Sequence, residues 1–275
     1  MRIRTPAGDI PYRRLTFPDG QRHLELLETE CGGFRTATIE AAITSADVLF
    51  DVLLAKDVLD LRGFVTSLHV RYLLGARMDR RISSSQPATL DVVARLLNGA
   101  GFRRVRVLDP HSPASCALLG AEAVLPTAVA ARVLARYDPA RTCLVVPDAG
   151  ATVRVADLVR FIPGALEFPT VQCFKSRNSE NGKLSGFSAQ DPSRVSGKEC
   201  LILDDICDGG GTFTGLAEVL QGHGATAVDL FVTHGLFTRG LPLSRVRMVY
   251  TTDSLEPGVT DDKPGLLVLP VEMAL

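Results

Sequence analysis

One segment of this chain, Cys200 to Leu220, combines an apolar run, two adjacent acids and a glycine-rich turn. It starts with an apolar, strand-like run that ends in Asp204 and Asp205, and three consecutive glycines then lead to Thr212. Glycines let successive backbone N–H groups converge on a phosphate, and the following helix adds its positive end and a capping hydroxyl. Paired carboxylates accept hydrogen bonds from vicinal sugar hydroxyls or hold a hydrated Mg²⁺. A phosphorylated sugar satisfies both the turn and the acids. The candidate phosphate turn comprises Asp208, Gly209, Gly210, Gly211 and Thr212.

Two known phosphate motifs do not fit this turn. No Lys follows the glycines, as a Walker loop requires, and the spacing differs from the G-x-G-x-x-G of dinucleotide sites. The structural alternative is a glycine-rich turn before a helix, with both acids solvated. Because a strand, two adjacent acids and a helix-start Thr occur together, a ligand site is favoured over that alternative.

Other polar residues follow predicted strands, where ligands bind in parallel sheets. Asp109 and His111 follow the strand Val105 to Leu108, and Asp148 follows the strand that begins at Cys143. A third strand, Val171 to Phe174, leads into the polar stretch KSRNSENGK. That stretch carries Lys175, Arg177 and Lys183, so we expect a loop able to close over phosphates and exclude water.

The elements that must position these residues repeat a β-α-β rhythm. Apolar strands without polar alternation suit parallel sheets that are covered on both faces. The sequence therefore predicts an α/β protein with two tandem doubly wound domains and mainly parallel sheets. The junction is placed near Tyr137 to Thr142, where Asp-Pro separates a helix from the next strand, which gives domains over 1–138 and 139–275.

Composition narrows the class of partner. The 275 residues carry a formal net charge of -1, which provides no global field for nucleic acid, so small-molecule partners are expected. The N-terminal residues do not resemble a signal peptide and no apolar stretch is long enough for a membrane span, so a cytoplasmic protein is expected. The six scattered cysteines are expected to be buried thiols.

Six segments together resemble the ribose-phosphate diphosphokinases (phosphoribosyl-diphosphate synthetases), which contain the type I phosphoribosyltransferase fold. They occur in that family's order across almost the whole chain. In chain order they are FPDGQ (17–21), ARMDRR (76–81), DPHS (109–112), PDAG (147–150), DDICDGGGT (204–212) and THG (233–235).

The resemblance implies two phosphoribosyltransferase-like domains, of which the first serves ATP and the second carries the ribose-phosphate loop. It also implies Mg²⁺-dependent transfer of the β,γ-diphosphoryl group of ATP to the anomeric hydroxyl of ribose 5-phosphate. A homo-oligomer is implied as well, because part of the family's ATP site arrives from a neighbouring subunit.

The same resemblance implies a role for each matching residue. The catalytic residues are Lys175, Arg177 and His111, and the metal contacts are His111 and Asp148. The ATP-binding residues are Phe17, Asp19, Gln21, Arg77, Met78 and His111. The ribose-phosphate-binding residues are Asp204, Asp205, Asp208, Gly209, Gly210, Gly211 and Thr212.

Three positions depart from the family pattern. Met78 replaces the usual Gln and Gln21 the usual Glu, which alters two polar contacts to the nucleotide. Gly209 replaces a Thr whose hydroxyl would help to close on a terminal 5-phosphate. A more open loop would admit a 5-substituted ribose such as ADP-ribose, so two acceptors stay open.

Two further functions compete with diphosphokinase activity. A true phosphoribosyltransferase would share the 204–212 segment, but it needs only one such domain, and the segments at Arg77 and His111 argue against it. A non-catalytic regulatory homologue would be expected to lose His111, Lys175 or Arg177, and all three are present.

Overall fold

The predicted alternation of apolar strands and helices is present in both halves of the chain. A computed structural model describes residues 1–27, 33–177, 184–256, 258 and 262–273. The chain divides into two units, one formed by Met1–Val124 with the C-terminal residues from Glu272 onward, the other by Leu125–Val271. No helix within the described ranges has both the length and the apolar character needed to cross a bilayer.

The boundary between the units differs from the junction expected after residue 138. The division falls after Val124, ahead of the helix Thr127–Leu134, because that helix packs against the helix Thr152–Arg160 of the second unit. The Asp-Pro step at 138–139 therefore lies inside the second unit, as a connection between a helix and its first strand.

The first unit contains a six-stranded sheet in the order β2-β1-β5-β6-β7-β8, in which β5 to β8 run parallel. The strands β3 and β4 form a separate antiparallel hairpin. Helix α1 begins after Ser45, whose Oγ accepts a hydrogen bond from the Val48 N–H at 3.3 Å, as an N-cap should. The elements are β1 (Arg2–Thr5), β2 (Gly8–Asp9), β3 (Tyr12–Thr16), β4 (Arg22–Leu26), β5 (Thr36–Ala42), α1 (Ala46–Leu61), β6 (Val65–Tyr72), α2 (Thr89–Gly99), β7 (Val105–Leu108), α3 (Pro113–Leu119) and β8 (Glu122–Val124).

The second unit contains an eight-stranded sheet in the order β11-β10-β9-β12-β13-β14-β16-β15, with a parallel centre and an antiparallel strand at each edge. After β9 the chain first adds β10 on one side and then β12 on the other, so the strand order reverses between β9 and β12. Its elements are α4 (Thr127–Leu134), β9 (Thr142–Val146), α5 (Thr152–Arg160), β10 (Thr170–Arg177), β11 (Leu184–Ala189), β12 (Glu199–Cys207), α6 (Gly211–Gly222), β13 (Ala227–Gly235), β14 (Val249–Thr252), β15 (Asp262–Lys263) and β16 (Leu266–Leu269).

The cysteines of the second unit are core residues, as expected. Cys143, Cys173, Cys200 and Cys207 are buried, and burial raises the pKa of the Cys200 thiol to about 12. In the first unit Cys116 is half-buried, and Cys31 lies outside the described residues. The four buried thiols therefore pack as small apolar side chains.

Candidate active site

The strongest candidate site lies at the carboxyl edge of the second unit's sheet, where the strand order reverses. Ligands bind in the crevice outside the strand ends at such a reversal. Val145 on β9 is the register partner of Ile202 on β12, so Asp148 and Asp205, each three residues further along, lie at the same level. The topology thus brings together two sequence-predicted segments that are far apart in the chain.

The candidate phosphate turn follows β12 and leads directly into α6. Gly210 has φ +74, a left-handed backbone, and a Cβ added there would lie 2.3 Å from Leu243 Cδ2. Only glycine fits this position, because a side chain meets both backbone strain and a packed leucine. The Thr238 hydroxyl donates to Asp208 Oδ1 at 2.6 Å and holds the other end of the turn.

The prediction that the Thr212 hydroxyl caps the helix is wrong. Gly210 is the N-cap of α6 and provides no side-chain cap, and Thr212 is the second residue of the helix. The N–H groups of Phe213 and Thr214 donate to the Gly210 carbonyl. Because the first N–H groups of a helix have no partner inside it, those of Gly211 and Thr212 are the donors that point toward an anion.

The two adjacent acids differ in environment. Asp205 is buried at 5% exposure and Asp204 is half-buried, with Asp204 Oδ1 accepting from the Asp205 N–H at 2.9 Å. Removal from water and the nearby charge of Asp205 raise the pKa of Asp204 well above its ordinary range, and Arg154 on α5 opposes that rise. Two close carboxylates resist holding two charges, so the pair favours a cation or hydroxyl donors as its ligand.

Lys175 and Asp148 form an ion pair at the same edge of the sheet. Only Thr170 to Gln172 of β10 pair with β9, so Lys175 extends three residues beyond that pairing, on the part of β10 that pairs with β11. Asp148 also accepts from the Ala151 N–H at 3.1 Å, which fixes its side chain at the turn. Lys175, the expected catalytic lysine, and Asp148, the expected metal contact, are therefore neighbours.

Part of the expected basic loop lies outside the described residues. Arg177 is the last residue of β10, and only its backbone is described. Residues 178–183, which include Lys183, lie outside the description, so closure of a loop over phosphates stays a prediction.

In the first unit, three expected ATP-site residues lie in the two loops that follow β6 and β7. Arg77 and Met78 are exposed in the loop between β6 and α2, and His111 is exposed in the short loop after β7. Asp109, just before it, is buried and has φ +41. Because β6 and β7 are parallel neighbours, both loops leave the same edge of this unit's sheet.

The other expected nucleotide contacts lie on the β3–β4 hairpin. Gln21 donates from its backbone N–H and its Nε2 to the two carboxylate oxygens of Asp19, at 3.0 and 2.9 Å. Phe17 is 51% exposed at the start of this turn, and its N–H donates to the Gln21 carbonyl. The hairpin tip is thus a rigid turn that presents an aromatic ring.

Sequence patterns did not point to three residues of the candidate site: Thr238 and Arg239, which contact the candidate phosphate turn, and Arg154, whose charge acts on Asp204. Arg154 sits in an ordinary amphipathic helix, and Thr238 and Arg239 follow the T-H-G segment without a motif of their own. The only available signal was an additional cation shortly after T-H-G. The relevance of Thr238 and Arg239 emerges from contacts between the loop after β13 and the turn after β12.

The residues present suit Mg²⁺ only if substrate phosphates supply further ligands. Within the described residues no group of three or more His, Cys, Asp or Glu side chains is placed to hold a metal ion. Mg²⁺ is commonly held by one or two carboxylates together with substrate phosphates and waters. Asp148, a half-buried carboxylate fixed at a strand end, fits that mode of binding.

Comparison with known proteins places the chain in a family. The phosphoribosyl transferase domain matches residues 125–256, nearly all of the second unit. The ribose-phosphate pyrophosphokinase of Mesorhizobium japonicum is 30% identical over 285 residues, covering 98% of this chain and 87% of that protein. The enzyme of the same name from Brucella melitensis is 29% identical over 283 residues, with the same coverage of both chains.

A solved structure gives the same result for the fold. Phosphoribosylpyrophosphate synthetase from Mycobacterium smegmatis superposes with a TM-score of 0.75 at 21% identity, covering 95% of this chain and 86% of that one. The tandem α/β fold predicted from the six segments is confirmed. With a glycine turn, two adjacent acids and a paired lysine at one sheet edge, and with a 30% identical relative matched over 87% of its length, this chain belongs to the ribose-phosphate pyrophosphokinase family.

Proposed function

We propose that this protein transfers the β,γ-diphosphoryl group of ATP to the C1 hydroxyl of ribose 5-phosphate and releases AMP. The C1 hydroxyl loses its proton to solvent as its oxygen forms a bond to the β-phosphorus. The bond from that phosphorus to the oxygen bridging the α- and β-phosphates breaks, and AMP leaves with that oxygen. The main support for this reaction is the turn after β12 together with the two adjacent acids. They lie where the strand order reverses, at the same edge of the sheet as the Lys175–Asp148 pair.

Each part of the second unit has a proposed task. The backbone N–H groups of the 208–212 turn bind the acceptor's 5-phosphate, and Asp204 and Asp205 accept hydrogen bonds from the ribose hydroxyls or hold a hydrated cation. Lys175 and Arg177 neutralise the charge that spreads onto the transferred phosphoryl oxygens. Lys175 would exchange Asp148 for phosphate when ATP binds.

Mg²⁺ is the proposed cofactor, and each unit has one proposed metal contact, His111 in the first and Asp148 in the second. When bound, it would neutralise the charge on the transferred phosphates. Arg77, Met78, Phe17, Asp19 and Gln21 are the proposed contacts to ATP. Met78 brings an apolar thioether to this set, since its Sδ accepts only a weak hydrogen bond from Thr89 Oγ1 at 3.6 Å.

Replacement of Lys175 tests this assignment. Lys175→Ala should lower AMP formation on the order of 100-fold, because it removes a cation positioned for the transition state. Purified protein with ATP, Mg²⁺ and ribose 5-phosphate, assayed for AMP, gives the readout. Lys198→Ala is the matched control, since Lys198 precedes β12 at the opposite end of that strand. Equal AMP formation by the two variants would show that Lys175 is not catalytic.

A 5-substituted ribose such as ADP-ribose is the second candidate acceptor. Its support is Arg239, which lies next to Gly209 and whose positive charge suits the additional charge of a diphosphate. Assaying AMP release with each acceptor in turn separates the two. Release with ribose 5-phosphate alone rejects the wider acceptor.

The same assay separates the two remaining functions. Nucleotide binding without AMP release from either acceptor would favour a regulatory homologue. Release of diphosphate from phosphoribosyl diphosphate and a base would favour a phosphoribosyltransferase.

A further inference from the structure

Arg239 lies across the floor of the phosphate turn. A Cβ added at Gly209 would lie 3.1 Å from Arg239 Cδ, 3.2 Å from its Nε and 3.4 Å from its Cγ. The arginine stem therefore fills the space that a side chain at position 209 would take. The sequence predicted an open loop at Gly209, and that prediction is wrong. The space left by the missing side chain is filled by the side chain of Arg239.

Backbone hydrogen bonds hold the loop that carries Arg239 to the turn. The N–H groups of Leu236 and Phe237 donate to the Cys207 carbonyl at 2.8 and 3.1 Å, and that of Thr238 donates to the Asp208 carbonyl at 3.2 Å. The Thr238 hydroxyl also donates to the Asp208 carboxylate. Arg239 follows immediately, so its placement beside the turn is set by four contacts rather than by its own flexible side chain.

Arg239 has no carboxylate partner in the part of the chain that the structure describes. Its side chain is exposed and makes no ion pair with any carboxylate of the described residues. Other arginines of the second unit do have such partners: Arg194 contacts Asp191, Arg245 contacts Glu218, and Arg247 contacts Asp229 and Glu199. An uncompensated guanidinium beside a turn of backbone donors favours an anionic ligand.

We propose that Arg239 binds the phosphate carried on C5 of the ribose acceptor and determines how tightly that acceptor is held. This inference rests on the proposed function, since it assigns a ligand to the same turn. A guanidinium forms paired, charge-assisted hydrogen bonds to phosphate oxygens, and a terminal phosphate and the diphosphate of a 5-substituted ribose both offer them. Arg239 is remote from the bond-forming C1 oxygen, so it acts on binding rather than on chemistry.

Steady-state kinetics of Arg239→Ala test the proposal. We expect the KM for the acceptor to rise about 10- to 100-fold, the effect of losing a hydrogen bond to a charged group, with kcat and the KM for ATP little changed. Arg239→Lys should recover part of the affinity, since lysine keeps the positive charge but lacks the planar pair of N–H donors. Arg245→Ala, which removes an exposed arginine from the same unit, is the control and should leave the acceptor KM unchanged. Running both acceptors shows which phosphate ester Arg239 recognises.

A double-mutant cycle with Gly209 checks the contact itself. Gly209→Ala should raise the acceptor KM in the wild-type background, because the new methyl group displaces Arg239, and should have little effect in Arg239→Ala. Wild-type activity with an unchanged acceptor KM in Arg239→Ala would overturn this inference alone. No AMP from wild type with either acceptor would overturn the proposed function, and this inference with it.

Discussion

At the scale of single residues, His69 is a buried base in a row of charged side chains. On the sheet of the first unit it is the register partner of Glu40 on one side and Arg106 on the other. Glu40 is itself buried and pairs with Arg71 at 2.8 Å. Burial, and then the charge of Arg106, lowers the pKa of His69 below the ordinary 6.5, and Glu40 opposes this shift. His69 is therefore neutral in the folded protein at neutral pH.

We expect this lowered pKa to make stability depend on pH. Above 6.5 both folded and unfolded His69 are neutral and contribute nothing. As pH falls from there toward the lowered pKa, the unfolded chain takes up a proton that the folded state resists, so stability is lost. The melting temperature should therefore fall more between pH 7.5 and 5.5 in wild type than in His69→Gln. The control is His23→Gln, which replaces an exposed histidine, and its melting temperature should fall as much as that of wild type. An equal fall in melting temperature in all three proteins would contradict the role given to His69.

At the scale of elements, the β10–β11 hairpin is attached to the helix that follows the phosphate turn. Phe187 on β11 is the direct register partner of Lys175 on β10. Its ring packs on α6, where a Cβ added at Gly215 would lie 2.1 Å from Phe187 Cε2. The absence of a side chain at Gly215 therefore sets how closely the lysine-bearing hairpin approaches α6.

Gly215→Ala should displace the hairpin and with it Lys175. Overpacking of this kind costs about 1–3 kcal/mol, and because it shifts a positioned cation we expect kcat to fall more than the KM for either substrate rises. Gly222→Ala, on the same helix with open space around it, is the control and should leave kcat unchanged. Adding Phe187→Ala to Gly215→Ala should recover part of the stability, and no recovery would argue against the contact.

The elements also show what could be predicted from the sequence. Local signals were sufficient for β7, which ends at the predicted residue, Leu108. The extension of β12 to Cys207 was missed, since Ile206 and Cys207 pair with His234 and Gly235 of a distant strand. Pairing and close approach between distant segments leave no local pattern, and for the same reason no sequence motif pointed to Arg239.

At the scale of the whole molecule, the sequence predicted two tandem units, and the chain divides into two units after Val124. The turn and the twin acids lie in the second unit, whereas Arg77 and His111 lie in the first. Both units therefore carry residues with proposed roles. The oligomer implied by the resemblance stays a proposal, and the β3–β4 hairpin is the part of the chain that tests it, since Phe17 is 51% exposed at its tip.

Complementation between two inactive variants tests whether this hairpin serves a neighbouring subunit. Phe17→Ala and Lys175→Ala should each be nearly inactive alone. In co-expressed, differently tagged mixtures, the intact hairpin of a Lys175→Ala subunit would complete the site of a Phe17→Ala subunit, so AMP formation should partly recover. Lys175→Ala mixed with Asp204→Ala should not recover, because both residues belong to the same unit and every site keeps one defect. If Phe17 serves its own subunit, neither mixture recovers, and a protein that sediments as a monomer would exclude a shared site.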